Sequence, residues 1–186
     1  IFGFGGRRKG QTYQTNINIS FTEAASGIEV VLPLENESIK VKVPAGVDNG
    51  SVIRLRGRGG PGAAGAPDGD LLVQVSVEPH KFFKRSNMDL ILEVPLLFTE
   101  AALGASIRIP TLTKSVTLKI PSGTPSGKTF KIRGEGIAPQ GRRSGDLYVK
   151  VFIIPPTNLS RSAKKHLEKF RDQFESGDSP RKHLDE

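Results

Sequence analysis

The sequence predicts a mostly β protein: two tandem small β-sandwich or partial-barrel domains, each with a short helix, followed by a C-terminal amphipathic helix. Three observations predict it. The 186 residues include 21 Gly and 13 Pro, the residue types that set turns between short strands. Val and Ile recur in short alternating segments, a pattern typical of half-buried strands. A sequence pattern also repeats after 77 residues, which indicates two copies of one structural unit.

The repeat begins with the segment 21–27 (FTEAASG), which recurs at 98–104 as FTEAALG. The same offset relates many Pro, Gly and basic positions further along. These pairs are Pro33 and Pro110, Lys42 and Lys119, Pro44 and Pro121, Gly46 and Gly123, Gly50 and Gly127, and Arg56 and Arg133. After a one-residue slip, Gly69-Asp70-Leu71 matches Gly145-Asp146-Leu147. Chance does not hold one register for so long, so we expect two homologous domains, at 11–79 and 80–156.

Each copy predicts the same order of elements. A strand (15–19, 90–94) leads into a helical turn (21–26, 98–103), with Thr22 and Thr99 as N-caps. Gly27 and Gly104 end these turns. Further strands are predicted at 28–34, 39–43, 52–56 and 71–77 in the first copy, and at 105–111, 116–120 and 147–154 in the second. Pro44-x-Gly46, Pro121-x-Gly123 and Asp48-Asn49-Gly50 are predicted turns.

The two ends of the chain differ from the repeat. Residues 1–10 (IFGFGGRRKG) have the composition of the end of a flexible Gly/Phe-rich linker and contain no signal peptide. Beyond Pro155-Pro156, Ser160 is a predicted N-cap for an amphipathic helix within 157–177. Its apolar stripe consists of Ala163, Leu167, Phe170 and Phe174. Residues 178–186 are predicted to be disordered.

Composition excludes several classes of protein. There is no apolar run near the roughly 20 residues that span a bilayer, so we expect no membrane partner and a cytoplasmic location. The absence of Cys excludes disulfides, zinc ribbons and Cys nucleophiles. The three His residues are too widely spaced to predict a metal site; they are His80, His166 and His183. No cofactor is expected.

No catalytic pattern emerges from the remaining polar residues. There is no GxSxG motif, and the Gly-rich segment 57–60 lacks the pattern of a phosphate-binding loop. His80 is either a structural residue or a general base. A general base would need a partner residue that the sequence does not show, so the structural role is favoured. Asp70 and Asp146 follow Gly at a strand start, where a turn-capping role is favoured over a catalytic acid. We therefore expect no enzyme.

Two binding functions stay open on the residues alone. The net charge of +8 includes the alternating Arg54, Arg56 and Arg58, which suit a nucleic-acid surface or a solvated basic surface that steers an acidic partner. No strand with interleaved aromatic residues, as in RNA-binding sheets, accompanies these arginines, so the solvated basic surface is favoured over nucleic-acid binding. Apolar residues that share one face of their strands form either core or a groove for apolar peptides. They are Ile17 and Ile19, then Val30, Leu32 and Leu34.

The tandem pattern resembles the C-terminal substrate-binding region of DnaJ-type (J-domain) co-chaperones. The shared motifs are FTEAAxG, VxVPxGVxxG, RxxGxG and GDL, with His80-x-x-Phe83-x-Arg85 at the junction. The resemblance implies two β-sandwich-like domains and a homodimer joined through Leu167, Phe170 and Phe174 of the terminal helix. It also implies a function: holding unfolded polypeptides and delivering them to a DnaK-type heat-shock chaperone.

Within that resemblance, two family parts are missing. There is no His-Pro-Asp J-domain motif, so we expect no stimulation of the partner's ATPase. Residues 35–38 replace the Cys-rich zinc module, which places the chain with the zinc-less subclass. The family's client groove maps onto Ile17, Ile19, Leu32, Leu34 and Phe83. Val30 stands where part of the family has Lys, which argues against an acidic chaperone tail binding here. Thr111 replaces the counterpart of Leu34, which argues against a second groove.

Overall fold

A computed structural model of the chain describes residues 8–34 and 38–174. The first unit contains β1 (Tyr13–Ile19), α1 (Phe21–Ser26), β2 (Ile28–Pro33), β3 (Ser38–Val43), β4 (Val52–Leu55) and β5 (Leu71–Val77). The second contains β6 (Phe83–Ser86), β7 (Asp89–Leu97), α2 (Phe98–Leu103), β8 (Ala105–Pro110), β9 (Ser115–Ile120), β10 (Thr129–Ile132) and β11 (Leu147–Ile154). Helix α3 (Arg161–Phe174) follows. Most of the predicted linker at 1–10 and all of the tail at 178–186 lie outside the described residues.

Both units have the same topology. In the first, β5 pairs in parallel with β1 and antiparallel with β4, and β2 and β3 form a separate hairpin. In the second, β11 pairs in parallel with β7 and antiparallel with β10, and β8 and β9 form the hairpin. Strand β6 adds a fourth strand at the free edge of β7. The predicted mostly β fold of two small, unclosed units is confirmed, although β6 and β10 were not predicted as strands.

The prediction that Thr22 and Thr99 are N-caps is wrong. The N-cap of α1 is Ser20, whose hydroxyl accepts a hydrogen bond from the Glu23 N–H over 3.3 Å. Glu23 in turn accepts from the Ser20 N–H over 2.7 Å, a reciprocal capping box that lowers the pKa of Glu23. At α2 the N-cap position is Leu97, which has no side-chain acceptor. Each helix therefore starts at its Phe, one residue before the predicted cap.

Each unit has its own apolar core, and α1 contributes to both. The first core lies between the β1–β5–β4 sheet and the β2–β3 hairpin, and Ala24 of α1 packs into it. The second core lies between the β7-containing sheet and the β8–β9 hairpin, and it includes Phe21 and Ala25 of α1. The short helix thus joins the two units through buried apolar contacts.

Candidate functional site

The two strands of the β2–β3 hairpin in the first unit are buried to different extents. The inward residues of β3 are buried, namely Ile39, Val41 and Val43. The inward residues of β2 pack on the same core but are only half-buried. Leu34, directly after the end of β2, is half-buried as well. We call this row the β2 strip; it consists of Ile28, Val30, Leu32 and Leu34. An apolar row on an outer strand that its own core does not cover is a surface that can take up apolar side chains.

Four of the five residues predicted to bind a client come together here. Leu32 and Leu34 belong to the β2 strip, and they pack against the core that contains Ile17 and Ile19. Ile17 is 5% exposed and Ile19 is 3% exposed, so these two form the base of the region rather than its accessible surface. Of these four residues, Leu32 and Leu34 are partly accessible to solvent, and Ile17 and Ile19 are not.

Phe83 is placed apart from the other four. Its side chain is 5% exposed and belongs to the core of the second unit. Its ring centroid lies 4.9 Å from that of His80, which lies 5.5 Å from that of Phe21. The neighbouring Phe82 is the exposed aromatic, at 55%. The family motif assigned the groove position to Phe83, the buried residue of this pair. The local sequence does not indicate which of the two phenylalanines is exposed.

His80 holds the turn between the units. Its Nδ1 accepts hydrogen bonds from the N–H groups of Phe82 and Phe83, over 3.1 and 3.2 Å. Because its Nδ1 accepts two backbone hydrogen bonds and its ring packs between phenylalanines, His80 stabilises this turn. This geometry agrees with the structural role that the sequence favoured.

Asp70 and Asp146 occupy equivalent places at the start of β5 and β11. Asp70 accepts hydrogen bonds from Lys9, Arg54 and the N–H of Gly57, and these donors hold the pKa of its carboxyl well below the usual range. Asp146 accepts from the Gly134 N–H over 2.8 Å and pairs with Lys131 over 2.6 Å. Their pairing lowers the pKa of Asp146 and raises that of Lys131. Both carboxylates fix a Gly turn, as the turn-capping interpretation predicted.

The equivalent row of the second unit differs from the β2 strip at one end: Ala105 and Ile107 are half-buried like their counterparts Ile28 and Val30, but the next two residues are not. By the repeat, Leu32 corresponds to Ile109 and Leu34 to Thr111, and both of these are buried. The Thr111 hydroxyl donates to the Lys114 carbonyl over 3.1 Å, within a tight turn between β8 and β9. The two rows thus differ at this end, and the expectation that a second groove is less likely stays a prediction.

Across 8–34 and 38–174, no three His, Asp or Glu side chains are grouped so that they could hold a metal ion. No helix in that part of the chain is long and apolar enough to cross a membrane.

Comparison with known families identifies the tandem units. Residues 13–156 match the DnaJ C terminal domain, which spans β1 to the end of β11. The chain belongs to the DnaJ C-terminal domain family. This is a family of chaperone domains rather than of enzymes, and membership supports a substrate-binding role in a DnaJ-type co-chaperone. The partly exposed β2 strip lies within this matched region, in its first unit.

Helix α3 follows the matched region and carries the residues predicted to dimerise. Leu167 is half-buried, and Phe170 is 45% exposed although its ring meets Phe98 edge-on at 5.9 Å. The side chain of Phe174 lies outside the described residues. Other large apolar side chains of the second unit are exposed; they include Leu97, Leu103, Phe152 and Ile154. Helix α3 thus contacts its own unit while apolar surface stays open.

Proposed function

We propose that this chain is the client-binding and dimerisation region of a zinc-less DnaJ-type co-chaperone. It binds unfolded polypeptides on the β2 strip, keeps them from aggregating and passes them to a DnaK-type chaperone. The single observation that carries the proposal is the partly exposed apolar row of the β2 strip in a member of this chaperone domain family. In the equivalent strand of the second unit the counterpart of Leu32, Ile109, is buried.

The mechanism is the burial of apolar client side chains. Each square ångström of apolar surface removed from water contributes about 25 cal/mol. Leu32 and Leu34 already touch the core on one side, so a client side chain covers their exposed remainder without any rearrangement of β1. A shallow aliphatic strip discriminates poorly between apolar side chains. Binding is therefore weak at each site and tolerant of sequence, as a client-holding protein requires.

The test is a titration of a fluorescent apolar peptide against matched variants of β2. Leu34→Ser, alone and with Leu32→Ser, should weaken binding about tenfold or more, because the changes remove apolar contact area. Val31→Ser is the control: Val31 lies on the same strand but faces outward and is 56% exposed, so binding should not change. Equal affinity of the Leu and Val variants would overturn the assignment of the strip.

The same titration separates this function from binding of nucleic acid. Apolar burial survives high salt, whereas phosphate contacts weaken steeply as salt rises. Arg54 and Lys9 are already paired with Asp70, which leaves fewer cations of this segment for phosphate. Peptide binding that collapses between about 50 and 200 mM salt would favour the basic module instead.

A further inference from the structure

The only sulfur atom of the chain lies where the two units meet. The 186 residues contain one Met, Met88, and no Cys. Met88 belongs to the turn between β6 and β7, and its half-buried side chain packs against the core of the second unit. A Cβ on Gly46 of the first unit would lie 3.4 Å from the Met88 sulfur and 3.6 Å from its methyl carbon. The thioether therefore fills the space beside a backbone position that has no side chain.

This contact belongs to the joint between the units and has no copy in the repeat. By the 77-residue offset, Gly46 corresponds to Gly123 in the second unit. A Cβ on Gly123 would meet no atom within 4 Å, so that turn is uncovered. The counterpart of Met88 in the first unit is Gln11, which is polar and exposed. An apolar thioether thus stands at this position in the unit where the position meets a neighbour.

The backbone of Met88 is held in place. Its carbonyl accepts a hydrogen bond from the Ile137 N–H over 2.8 Å. A Cβ on Gly145 would lie 1.9 Å from the same carbonyl oxygen, so the two backbones are in close contact. The side chain of Met88, with its rotatable bonds, is therefore the part that responds to a chemical change at the sulfur.

Hydrogen-bond donors in this joint are already engaged. The Gly46 N–H donates to the Ala24 carbonyl over 2.8 Å. The Arg85 guanidinium donates to the carbonyls of Gly46 and Val47, each over 2.7 Å, and pairs with Asp48 over 2.9 Å. A further acceptor oxygen placed here would either take a donor from one of these bonds or stay without one. Both outcomes are unfavourable in a partly buried contact.

Oxidation of a thioether adds such an acceptor. In the reaction with hydrogen peroxide, a sulfur lone pair attacks one peroxide oxygen, and the O–O bond breaks as the S–O bond forms. Sulfur loses two electrons, the second oxygen leaves as hydroxide, and the proton of the transferred hydroxyl passes to it to give water. The product is a sulfoxide, which is polar and disrupts apolar packing.

We propose that Met88 is an oxidation site of this chain, where peroxide converts the thioether to the sulfoxide and thereby loosens the contact between the two units. The half-buried side chain is open to a molecule as small as peroxide, and its position beside Gly46 couples the oxidation to the joint. A sulfoxide that takes a donor from Arg85 weakens that bond, and one that turns toward water leaves the turn 44–47 without its apolar contact. Reduction of the sulfoxide restores the joint. The inference does not depend on the proposed client binding.

Treatment of the full chain with hydrogen peroxide, followed by mass spectrometry, tests the site. Because Met88 is the only sulfur-containing residue, the gain of one oxygen atom at this position identifies the product. The oxidised protein should melt about 5 °C below the reduced protein, the shift expected for a polar group that lacks a partner. Amide exchange should quicken more at Gly46 and Ile137 than at Val151, whose N–H donates to the Lys128 carbonyl away from the joint. Unchanged melting and exchange in fully oxidised protein would overturn the proposal.

Two substitutions at the same position separate oxidation of Met88 from other effects of peroxide. Met88→Leu keeps an apolar side chain of similar volume that peroxide does not oxidise, so its melting temperature should be the same before and after treatment. Met88→Gln introduces a polar side chain of similar length and should melt, without peroxide, about as low as the oxidised parent protein. A Met88→Leu variant that peroxide destabilises as much as the parent contradicts the proposal, as does a Met88→Gln variant as stable as the reduced parent. Resistance of Met88 to peroxide in the native protein also contradicts it, because the side chain would then be inaccessible.

Discussion

The guanidinium of Arg85, at the edge of the second unit, donates to the carbonyl of Gly46 in the first unit over 2.7 Å. It also donates to the Val47 carbonyl over 2.7 Å and pairs with Asp48 over 2.9 Å. The Arg85 side chain is 17% exposed, so these charge-assisted bonds are largely shielded from water. Gly46 itself packs beside Ile137 of the second unit. This one arginine holds the turn 44–47 against the neighbouring domain.

Arg85→Ala should lower the free energy of unfolding by about 2–4 kcal/mol, because it leaves two carbonyls at the junction without their donors. Arg85→Lys keeps the charge but not the fork of donors, so it should lie between the parent and the Ala variant. Arg108→Ala is the control; Arg108 is exposed on β8, and its loss should cost less than about 0.5 kcal/mol. Urea denaturation measures all three. Equal stability of the two Ala variants would show that the junction does not depend on this contact.

The donors around Asp70 predict a pH dependence of stability. The folded-state pKa of Asp70 lies below its unfolded value near 3.9, so its contribution is present above that value and is lost as pH falls through the folded pKa. Asp70→Asn should therefore be less stable than the parent at pH 7, and the difference should shrink below about pH 4. Glu29→Gln removes an exposed ion pair with Lys40 and should change little. The measurement is thermal unfolding between pH 2 and pH 7; a constant difference across that range would contradict the prediction.

Local sequence predicts much of the fold. The bounds of α1, α2, β5 and β11 agree with the prediction residue for residue. The two helices were predictable because Phe-Thr-Glu-Ala-Ala and the Gly that follows it are typical of a helical turn. Strand β6 was missed because its four residues, Phe-Lys-Arg-Ser, have no apolar alternation of their own. It becomes a strand by pairing with β7, to which it is joined by a turn that contains Asn87 with a φ of 57°. Such pairing depends on tertiary context that a short segment does not encode.

The candidate site was predicted less completely than the fold. Strand alternation identified Leu32 and Leu34 as inward residues, but the unequal burial of β2 and β3 depends on which hairpin strand lies outermost. The position of Phe83 in the second core depends on how the two units meet, as does the division of α1 between the cores.

Close backbone contacts predict how two glycines differ. A Cβ on Gly69 would lie 1.8 Å from the carbonyl oxygen of Gln11, a distance that requires the backbone to move. Gly123 has a φ of +71° and open space around it, so Ala there is strained by about 1–2 kcal/mol and clashes with nothing. Gly69→Ala should thus lower the melting temperature far more than Gly123→Ala does. Circular dichroism melts of both variants check this, and similar melting temperatures would show that the contact between Gly69 and Gln11 relaxes easily.

The last prediction concerns assembly through α3. Phe170 meets Phe98 of its own unit yet keeps nearly half its surface exposed, beside the exposed Leu97. If two chains join here, two β2 strips lie on one particle, and a long client that holds one strip meets the second at a high effective concentration. Phe170→Asp should then give folded monomers with unchanged affinity for a short peptide but a reduced ability to suppress aggregation of a long client. Lys165→Asp, at another exposed position of α3, should stay dimeric. Sedimentation velocity decides the question: a parent protein that is already monomeric confines α3 to its own unit, and a Phe170→Asp variant that is still dimeric places the interface elsewhere.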